Sequence, residues 1–388
     1  MSLAAGNDNR QAIAKPVMQE IFTGRMRPRH FRFSRALERL LGPDRLQVIG
    51  RPPSKRTRIQ MALGCRLRGF RTFSGEEGRL PCLLHQSLSR RTGPYLAEFD
   101  VPLALHNYQI RYHRASAGRA RALLERSNLR AVLVFSEWAR RSFGLYYGPE
   151  VEAKCRVVYP LASEYATPDG ERERRYDFCF ISTQFRIKSG PELVEAFGRL
   201  RRTRDEARTL CVVTDLAEAR QLLGDLDRYP GITWREASLS EQEIAGLLAD
   251  SRCLVHPSLA ESFGVVVLEA LAAGCALITT DIASFAEMAH PGRNGFLIPA
   301  PISSVTGDAF IMELGDARTF AAYLNTLSLH RVTDALEEAM EQMTADAGRL
   351  RAMMDASRAL YTERFSEEAW QTTMRAILRE AFPNMITP

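Results

Sequence analysis

The chain has 388 residues, of which 45% are hydrophobic and 25% are charged, and its formal net charge is +6. This composition is ordinary for a globular protein, and the length predicts two domains. The longest apolar stretch, 263–278, is interrupted by Glu269 and Gly274, which excludes a membrane span there. The opening MSLAAGNDNRQ has no apolar core, so no signal peptide is expected. Seven single cysteines without a C-x-x-C pair predict reduced thiols, a cytoplasmic protein and no metal site.

Positive charge is concentrated in the first part of the chain. Residues 1–163 contain 29 Lys and Arg against 12 Asp and Glu, a net of +17, whereas the remainder contains 23 against 34, a net of −11. This asymmetry predicts an acidic acceptor, or peripheral contact with an anionic membrane surface, for the first half. The alternative is a solvated, arginine-rich surface. Nucleic acid is not expected, because the basic half lacks interleaved aromatic platforms. The clusters concerned are Arg25, Arg27, Arg29, Arg32 and Arg35, and Lys55, Arg56 and Arg58.

Several segments of the first half have the pattern of a parallel sheet with intervening helices. The strand-like VMQEIFT precedes Gly24, the best candidate for a glycine-rich acceptor loop. VPLALHN predicts a strand that ends in His106, AVLVFSEWARRSF a strand and a helix, and CRVVYPL the last strand. A lone histidine after an apolar strand is more often a core or capping residue with satisfied hydrogen bonds than a functional residue. The polar stretch at 163–177, with Pro168 and Gly170, predicts the domain boundary.

The segment 253–300 predicts a strand, a loop, a helix and a strand, the βαβ unit of a parallel sheet. Cys253 to His256 is a short apolar run, and the helix begins near Phe263–Gly264. Gly274 has the position of a helix C-terminal glycine, and the next strand runs from Cys275 to Thr280.

Two glutamates of this segment, Glu261 and Glu269, are eight positions apart and predict a binding site. Ligands of such sheets bind beyond the carboxyl ends of the strands, where helix N-termini present free amides. Gly264 lets a phosphate approach the backbone, Glu261 flanks it, and Glu269 points back toward it. An anion site with two acceptors for hydroxyl groups fits a nucleotide sugar. The alternative is a helix N-terminal charge at Glu261 and a solvated or salt-bridged Glu269. A carboxylate within an apolar stretch is costly without a partner, which favours a function for Glu269.

The stretch HPSLAESFGVVVLEALAAGCALITTD, with FAEM and NGFL after it, resembles the signature of the retaining GT-B glycosyltransferases of family 4. The resemblance implies that Glu261 contacts hydroxyls of the transferred sugar and that Glu269 holds the ribose. It also implies that the backbone of Phe263, Gly264 and Val265 meets the diphosphate and the sugar.

Residues 178–200 resemble the first strand, phosphate loop and helix of the family's nucleotide-binding domain. Lys188 falls on its diphosphate lysine, and it is the sole lysine among the last 234 residues, which suggests that a compact ammonium is needed. The alternative for Lys188 is an exposed surface lysine. One departure puts donor affinity and activity in doubt: the usual arginine five residues earlier is Thr183, a loss for which Arg186 could compensate.

In the first half the resemblance is weaker, and it implies that His106 lies beside the reacting carbon of the donor. The resemblance also implies that Arg235 lies near the nucleotide base, which proteins of this fold bind largely through backbone atoms. Residues 301–330 are interpreted as an insertion or irregular connection. Helices are predicted at 334–361 and 366–381, and Trp370 is expected to pack on the first domain.

The predicted fold is α/β, a GT-B arrangement of two Rossmann-like, doubly wound parallel-sheet domains facing a cleft. Residues 1–165 would form the acceptor domain, 175–365 the nucleotide-sugar domain and 366–388 a helix packing back. The implied function is metal-independent, retaining transfer of a hexose from a UDP- or GDP-sugar to an acidic glycan or lipid-linked acceptor, in bacterial polysaccharide or lipopolysaccharide assembly. No further cofactor is expected. The alternatives are a non-catalytic GT-B nucleotide-sugar-binding protein and a sugar-nucleotide epimerase.

Overall fold

The computed structural model describes residues 17–22, 28–49, 69–73, 80–90, 92–163, 165, 173–300, 302, 305–306, 309–310 and 317–385. Several predicted features lie outside these residues. They are Gly24, the basic residues Arg25, Arg27, Lys55, Arg56 and Arg58, and positions 164 and 166–172 of the predicted domain boundary.

The first half of the chain forms a six-stranded parallel sheet in the order β2-β1-β4-β6-β7-β8, beside a two-stranded parallel sheet of β3 and β5. Apolar residues fill its central strands, and β4 and β6 are buried along their whole length. The strands are β1 Met18–Phe22, β2 Leu46–Ile49, β3 Thr72–Phe73, β4 Cys82–His85, β5 Leu88–Ser89, β6 Tyr95–Phe99, β7 Leu129–Val134 and β8 Cys155–Val157.

Among the residues that the structure describes in this half, four α-helices and two short 3-10 helices accompany the sheet. The helices are α1 Pro28–Leu41, α2 Ile110–Leu124, α3 Glu137–Tyr147 and α4 Pro149–Glu152, and the 3-10 helices are Pro43–Arg45 and Pro102–His106. The predicted strand ending in His106 is therefore wrong: the strand ends at Phe99, and His106 closes a 3-10 helix. Pro102 explains the difference, because it cannot donate to a sheet ladder but fits the first position of a helix.

The second half forms another six-stranded parallel sheet, in the order β11-β10-β9-β12-β13-β14. Counted within this half, the order is 3-2-1-4-5-6, that of the Rossmann fold, and the order reverses between β9 and β12. An antiparallel pair, β15 and β16, follows in the region predicted to be irregular. The strands are β9 Tyr176–Ile181, β10 Leu210–Thr214, β11 Ile232–Glu236, β12 Ser251–His256, β13 Ala276–Thr280, β14 Gly295–Ile298, β15 Val305–Thr306 and β16 Ala309–Phe310.

The helices of the second half are α5 Gly190–Thr203, α6 Leu216–Leu223, α7 Glu241–Ala249, α8 Val265–Ala272, α9 Ala317–Leu324, α10 His330–Thr344, α11 Ala347–Arg364 and α12 Glu367–Ala381, with 3-10 helices at Leu226–Arg228 and Phe285–Glu287. The single helix predicted at 334–361 is therefore wrong, because the chain forms two helices there. The side chain of Asp346 explains the break, since it accepts from the amides of Gly348 and Arg349 and caps a new helix.

The last helix, α12, packs against the first sheet. The ring of Trp370 lies 5.0 Å from that of Phe33 on α1, edge to face. Both rings belong to a buried cluster with Met18, Leu83 and Leu133 of the sheet. The two halves are thus joined by an apolar contact as well as by the chain itself.

Candidate functional site

The loops that follow β9 and β12 lie side by side at the carboxyl edge of the second sheet. These two strands are neighbours, and the strand order reverses between them, which is where open α/β sheets bind ligands. The first loop carries Lys188 and leads into α5, and the second carries Glu261 and leads into α8. Sheet topology therefore brings together two residues that are 73 positions apart in sequence.

Lys188 and Glu261 form a buried ion pair. Lys188 Nζ donates to Glu261 Oε2 at 2.7 Å, to Ala260 O at 2.6 Å and to Ser258 Oγ at 3.0 Å. The lysine side chain is 8% exposed and the glutamate side chain 18%. All three protons of the ammonium are thus engaged, so the alternative of a solvated surface lysine is wrong.

This pair holds Glu261 in its ionised form. Burial alone would raise the pKa of the Glu261 carboxyl, but the charge of Lys188 and the contact with His256 bring that pKa far below its ordinary value. His256 Nε2 lies 3.5 Å from Glu261 Oε2, and burial lowers the pKa of this histidine. The site therefore presents a fixed carboxylate beside a neutral imidazole.

The helix α8 begins directly after a position that requires glycine. Gly264 has φ +83°, in the left-handed region, and a Cβ atom there would lie 2.4 Å from Cε1 of Phe285. Phe263, before this glycine, is buried, and Val265 is the first helical residue, whose amide has no intrahelical partner. The helix therefore begins as predicted, with the positive end of its dipole beside the loop of Glu261.

The loop before α5 is tightly folded. Ser189 has φ 50°, a conformation that costs a non-glycine residue of order 1–3 kcal/mol and that is concentrated at ligand sites. Its hydroxyl is buried without a hydrogen-bond partner. Glu218 accepts from the amide of Phe185 at 2.7 Å and so occupies one backbone donor of this loop.

Arg186, expected to compensate for Thr183, is held by a different partner. Its two terminal nitrogens donate to the carboxylate of Glu192 at 2.8 and 2.9 Å, and the arginine side chain is 5% exposed. Thr183 is exposed in the same loop. A phosphate contact from Arg186 stays a prediction, and it requires the pair with Glu192 to open.

Glu269 points out of α8 toward the first domain. Arg32 on α1 donates to Glu269 Oε1 at 3.0 Å and to Leu161 O at 3.0 Å, and it lies 3.2 Å from Glu241 Oε2. Burial raises the pKa of Glu269 even though Arg32 opposes this. The partner that a buried carboxylate requires is thus an arginine of the other half, as in the salt-bridged alternative. Arg32, which we assigned to a basic surface cluster, has a 15% exposed side chain between two glutamates.

His106 is completely buried and has two close partners. Its Nδ1 lies 2.6 Å from Gly69 O, which can only accept, so the Nδ1–H donates and Nε2 accepts from the Tyr147 hydroxyl at 2.6 Å. Burial lowers the pKa of this histidine to about 4, although the Gly69 contact opposes the shift. This environment favours the satisfied core histidine over contact with a donor.

Arg235, the remaining predicted residue, lies near the end of β11, the outermost strand beside β10. Its half-buried position at the carboxyl edge is compatible with a role near the base, which stays a prediction.

Glu287 is a residue that sequence analysis did not single out. Its carboxylate accepts from the amides of Glu137 and Trp138 at 3.0 and 2.9 Å, and from the Tyr159 hydroxyl at 2.8 Å. A side chain from the second half thereby caps α3 of the first half. FAEM was noted only as a motif, because nothing local indicates that its glutamate reaches a distant helix.

One group of described His, Cys, Asp and Glu residues has the spacing of a metal site, and it lies in the first half of the chain: His30, His85 and Glu98. The six cysteines that the structure describes are buried thiols. None of the described helices is long and apolar enough to cross a membrane.

The second domain matches a family model. Residues 175–325 match the model of the glycosyl transferases group 1. A curated relative, the D-inositol 3-phosphate glycosyltransferase of Paenarthrobacter aurescens, is 27% identical over 156 residues, which are 39% of this chain and 38% of the relative. The match thus spans less than half of that relative's length.

Two solved glycosyltransferase structures resemble nearly the whole chain. HepE from Anabaena, in complex with UDP and glucose, has a TM-score of 0.61 at 13% identity, and the match covers 93% of this chain and 99% of HepE. WaaG, a glycosyltransferase involved in lipopolysaccharide biosynthesis, has a TM-score of 0.60 at 14% identity, with 94% and 100% covered. At these identities the likeness concerns the fold. The predicted two-sheet architecture is thus confirmed: this chain has the GT-B fold, and the match of its residues 175–325 to the glycosyl transferases group 1 agrees with the predicted family.

Proposed function

We propose that the protein is a retaining glycosyltransferase that moves a hexose from a nucleotide-diphosphate sugar to an anionic or membrane-associated acceptor. The observation that carries this proposal is the Lys188–Glu261 pair beside the start of α8, at the point where the strand order reverses. It provides a cation and helix amides for a diphosphate and a fixed carboxylate for sugar hydroxyls. The complexes of HepE with UDP and glucose support a donor of this class.

In the transfer, the bond between the anomeric carbon and the diphosphate oxygen breaks as the acceptor oxygen bonds to the same face of that carbon. The acceptor's proton passes to the leaving phosphate. Lys188 and the first amides of α8 stabilise the charge that develops on the diphosphate. No protein nucleophile is needed, so Glu261 and Glu269 bind the donor, and no metal takes part in this step.

The proposed class of acceptor is inferred from the distribution of charge along the chain. The first half carries a net of +17 over residues 1–163, which would attract an anionic or membrane-bound acceptor at the cytoplasmic face of a membrane. The relative named as a D-inositol 3-phosphate glycosyltransferase and the lipopolysaccharide enzyme WaaG support acceptors of this kind.

A non-catalytic sugar-nucleotide-binding protein is the second candidate, and it is favoured by the pairing of four of the five charged residues predicted at the donor site. Lys188 is paired with Glu261, Arg186 with Glu192, and Glu269 with Arg32. Turnover requires Lys188 to donate hydrogen bonds to phosphate oxygens. Binding of the nucleotide sugar alone requires only some of the contacts between the protein and its ligand.

The test is the thermal shift of the purified chain with UDP, GDP and ADP, beside Lys188→Met and Glu269→Gln. A nucleotide at about 100 times its dissociation constant stabilises the folded state by about 2.7 kcal/mol. We expect one nucleotide to shift Tm in the wild type and in Glu338→Gln, an exposed control on α10, and in neither site variant. No shift with any nucleotide would overturn the donor site.

A second measurement separates the candidates. The corresponding nucleotide sugar is incubated with a phosphorylated sugar acceptor, and NMR follows nucleotide release and the anomeric configuration of the product. Transfer with retention supports the proposal, and binding without turnover supports the second candidate. A changed donor sugar without transfer indicates an epimerase.

A further inference from the structure

Arg32 connects the first half of the chain with two carboxylates of the second half. It belongs to α1, the helix that follows the first strand of the first sheet. Its guanidinium donates to Glu269 Oε1 at 3.0 Å and to Leu161 O at 3.0 Å, and it lies 3.2 Å from Glu241 Oε2. One arginine of the first half is thus held by three oxygens, and two of them belong to glutamates of the second half.

These two glutamates lie near the starts of neighbouring helices. Glu241 is the first residue of α7, which follows β11, and Glu269 lies one turn after the start of α8, which follows β12. The two helices pack beside each other. The end of β11 is the region proposed for the base, and the first amides of α8 are proposed for the diphosphate. Because ribose joins the base to the diphosphate, Arg32 contacts the second half where the ribose of a bound nucleotide has to lie.

Glu269 keeps acceptor positions for a ligand while it is paired with Arg32. A carboxylate offers about four lone-pair positions. Arg32 donates to one of them, and the backbone amide of Ser163 donates to another. The Glu269 side chain is also 11% exposed, so it is not sealed from the cleft. The hydroxyls of a ribose can therefore donate to Glu269 without displacing the guanidinium.

We propose that Arg32 is a positioning residue of the donor site, which holds the Glu269 carboxylate in the orientation that accepts the ribose hydroxyls. This inference rests on the proposed function, because it takes a nucleotide sugar as the ligand. An arginine suits the role, since its planar fork of donors contacts several oxygens at once in a fixed geometry. The ribose part of the donor site is then completed by a residue of the first half, so donor recognition depends on how the two halves meet.

The alternative is an ion pair that only fastens the two halves together, and Arg39 supplies the comparison. Arg39 lies on the same helix and donates to both carboxylate oxygens of Glu367 on α12, each at 2.7 Å. Both side chains of this pair are exposed. The variant Arg39→Gln therefore removes an ion pair between α1 and the last helix but leaves Glu269 and its partners in place.

The test compares the binding of a nucleoside diphosphate with that of its 2′,3′-dideoxy form, by calorimetric titration of the full chain. The probe is the one of UDP, GDP and ADP that binds the wild type. Hydrogen bonds to a charged acceptor are strong, so we expect the wild type to bind the ribose form roughly 10–100-fold more tightly. In Arg32→Gln the two forms should bind almost equally, whereas Arg39→Gln should keep the wild-type ratio. A pair that only fastens the halves would change both affinities by the same factor in Arg32→Gln, and that result would overturn the inference.

The wild type separates failure of this inference from failure of the proposed function. A wild type that binds no nucleotide would overturn both, and a wild type that binds both forms equally would overturn the contact between Glu269 and ribose. A ribose preference without sugar transfer would support the inference and remove only turnover.

A second variant keeps the charge beside Glu269. Arg32→Lys should recover part of the ribose preference that Arg32→Gln loses, because a single ammonium cannot reproduce the contacts of the fork. If Arg32→Gln does not fold, Arg32→Lys is compared with the wild type instead. An undiminished ribose preference in Arg32→Lys would then overturn the positioning role of the guanidinium.

Discussion

Replacing Lys188 by methionine tests both the energetics and the role of the buried ion pair. The substitution keeps an unbranched side chain that is one atom shorter, and it removes the cation that lies 2.7 Å from Glu261 Oε2. The Glu261 side chain, which is 18% exposed, then remains without its ammonium partner. The positive charge that keeps the pKa of Glu261 low is removed with that partner. We therefore expect a large loss of stability that has nothing to do with a ligand.

The magnitude follows from the burial of the pair. Breaking a buried ion pair by removing one partner costs about 3–5 kcal/mol, whereas replacing both partners by neutral groups of similar volume is often close to neutral. In a domain of about 150–250 residues, each kcal/mol corresponds to about 2–4 °C in Tm, so Lys188→Met should lower Tm by roughly 6–20 °C. The double variant Lys188→Met with Glu261→Gln should recover most of this loss.

Urea unfolding followed by circular dichroism measures the four members of this double-mutant cycle. Nucleotide binding by the double variant separates folding from function, because the double variant should be stable and yet should not bind. A Lys188→Met protein as stable as the wild type would refute the reasoning, since the ammonium could not then be the required partner of Glu261. Equal losses of unfolding free energy in Lys188→Met and in the double variant would refute the energetic coupling between Lys188 and Glu261.

Two further predictions concern backbone and protonation. Gly264→Ala places a Cβ 2.4 Å from the Phe285 ring at φ +83° and should lower the unfolding free energy in urea by about 1–3 kcal/mol, whereas Gly246→Ala, with open space in α7, should be neutral or stabilising. Equal changes in unfolding free energy in Gly264→Ala and Gly246→Ala would contradict this account of how α8 begins. Burial lowers the pKa of His106 in the folded protein to about 4 from 6.5. Its contribution to the free energy of unfolding is therefore complete above pH 6.5 and is lost as the pH falls toward 4. The unfolding free energy of His106→Gln, measured at both pH values, should therefore change less than that of the wild type, and equal pH dependence would exclude a neutral buried His106.

The local patterns of the sequence were enough for the strand, helix and strand that carry Glu261 and Glu269. The apolar run ending at His256, the glycine at 264 and the glycine at 274 predicted strand, helix start and helix end, and the structure has β12, α8 and β13 there. These features are local because they depend on residues within one or two turns. Lys188 could be singled out for the same reason, as a lone lysine in a phosphate-type loop.

Sequence alone determined the α/β class, the start of α8 and the Lys188 and Glu261 loops, since hydrophobic period and glycine position act along the chain. Tertiary structure alone decided the partners of the charges. Arg32 meets Glu269 across 237 positions, and Glu287 caps a helix about 150 positions away. The partner of a buried charge is set by which strand ends and helices meet in space, and no local pattern records that meeting. The same holds for His106, whose two shortest hydrogen bonds join it to residues 37 and 41 positions away.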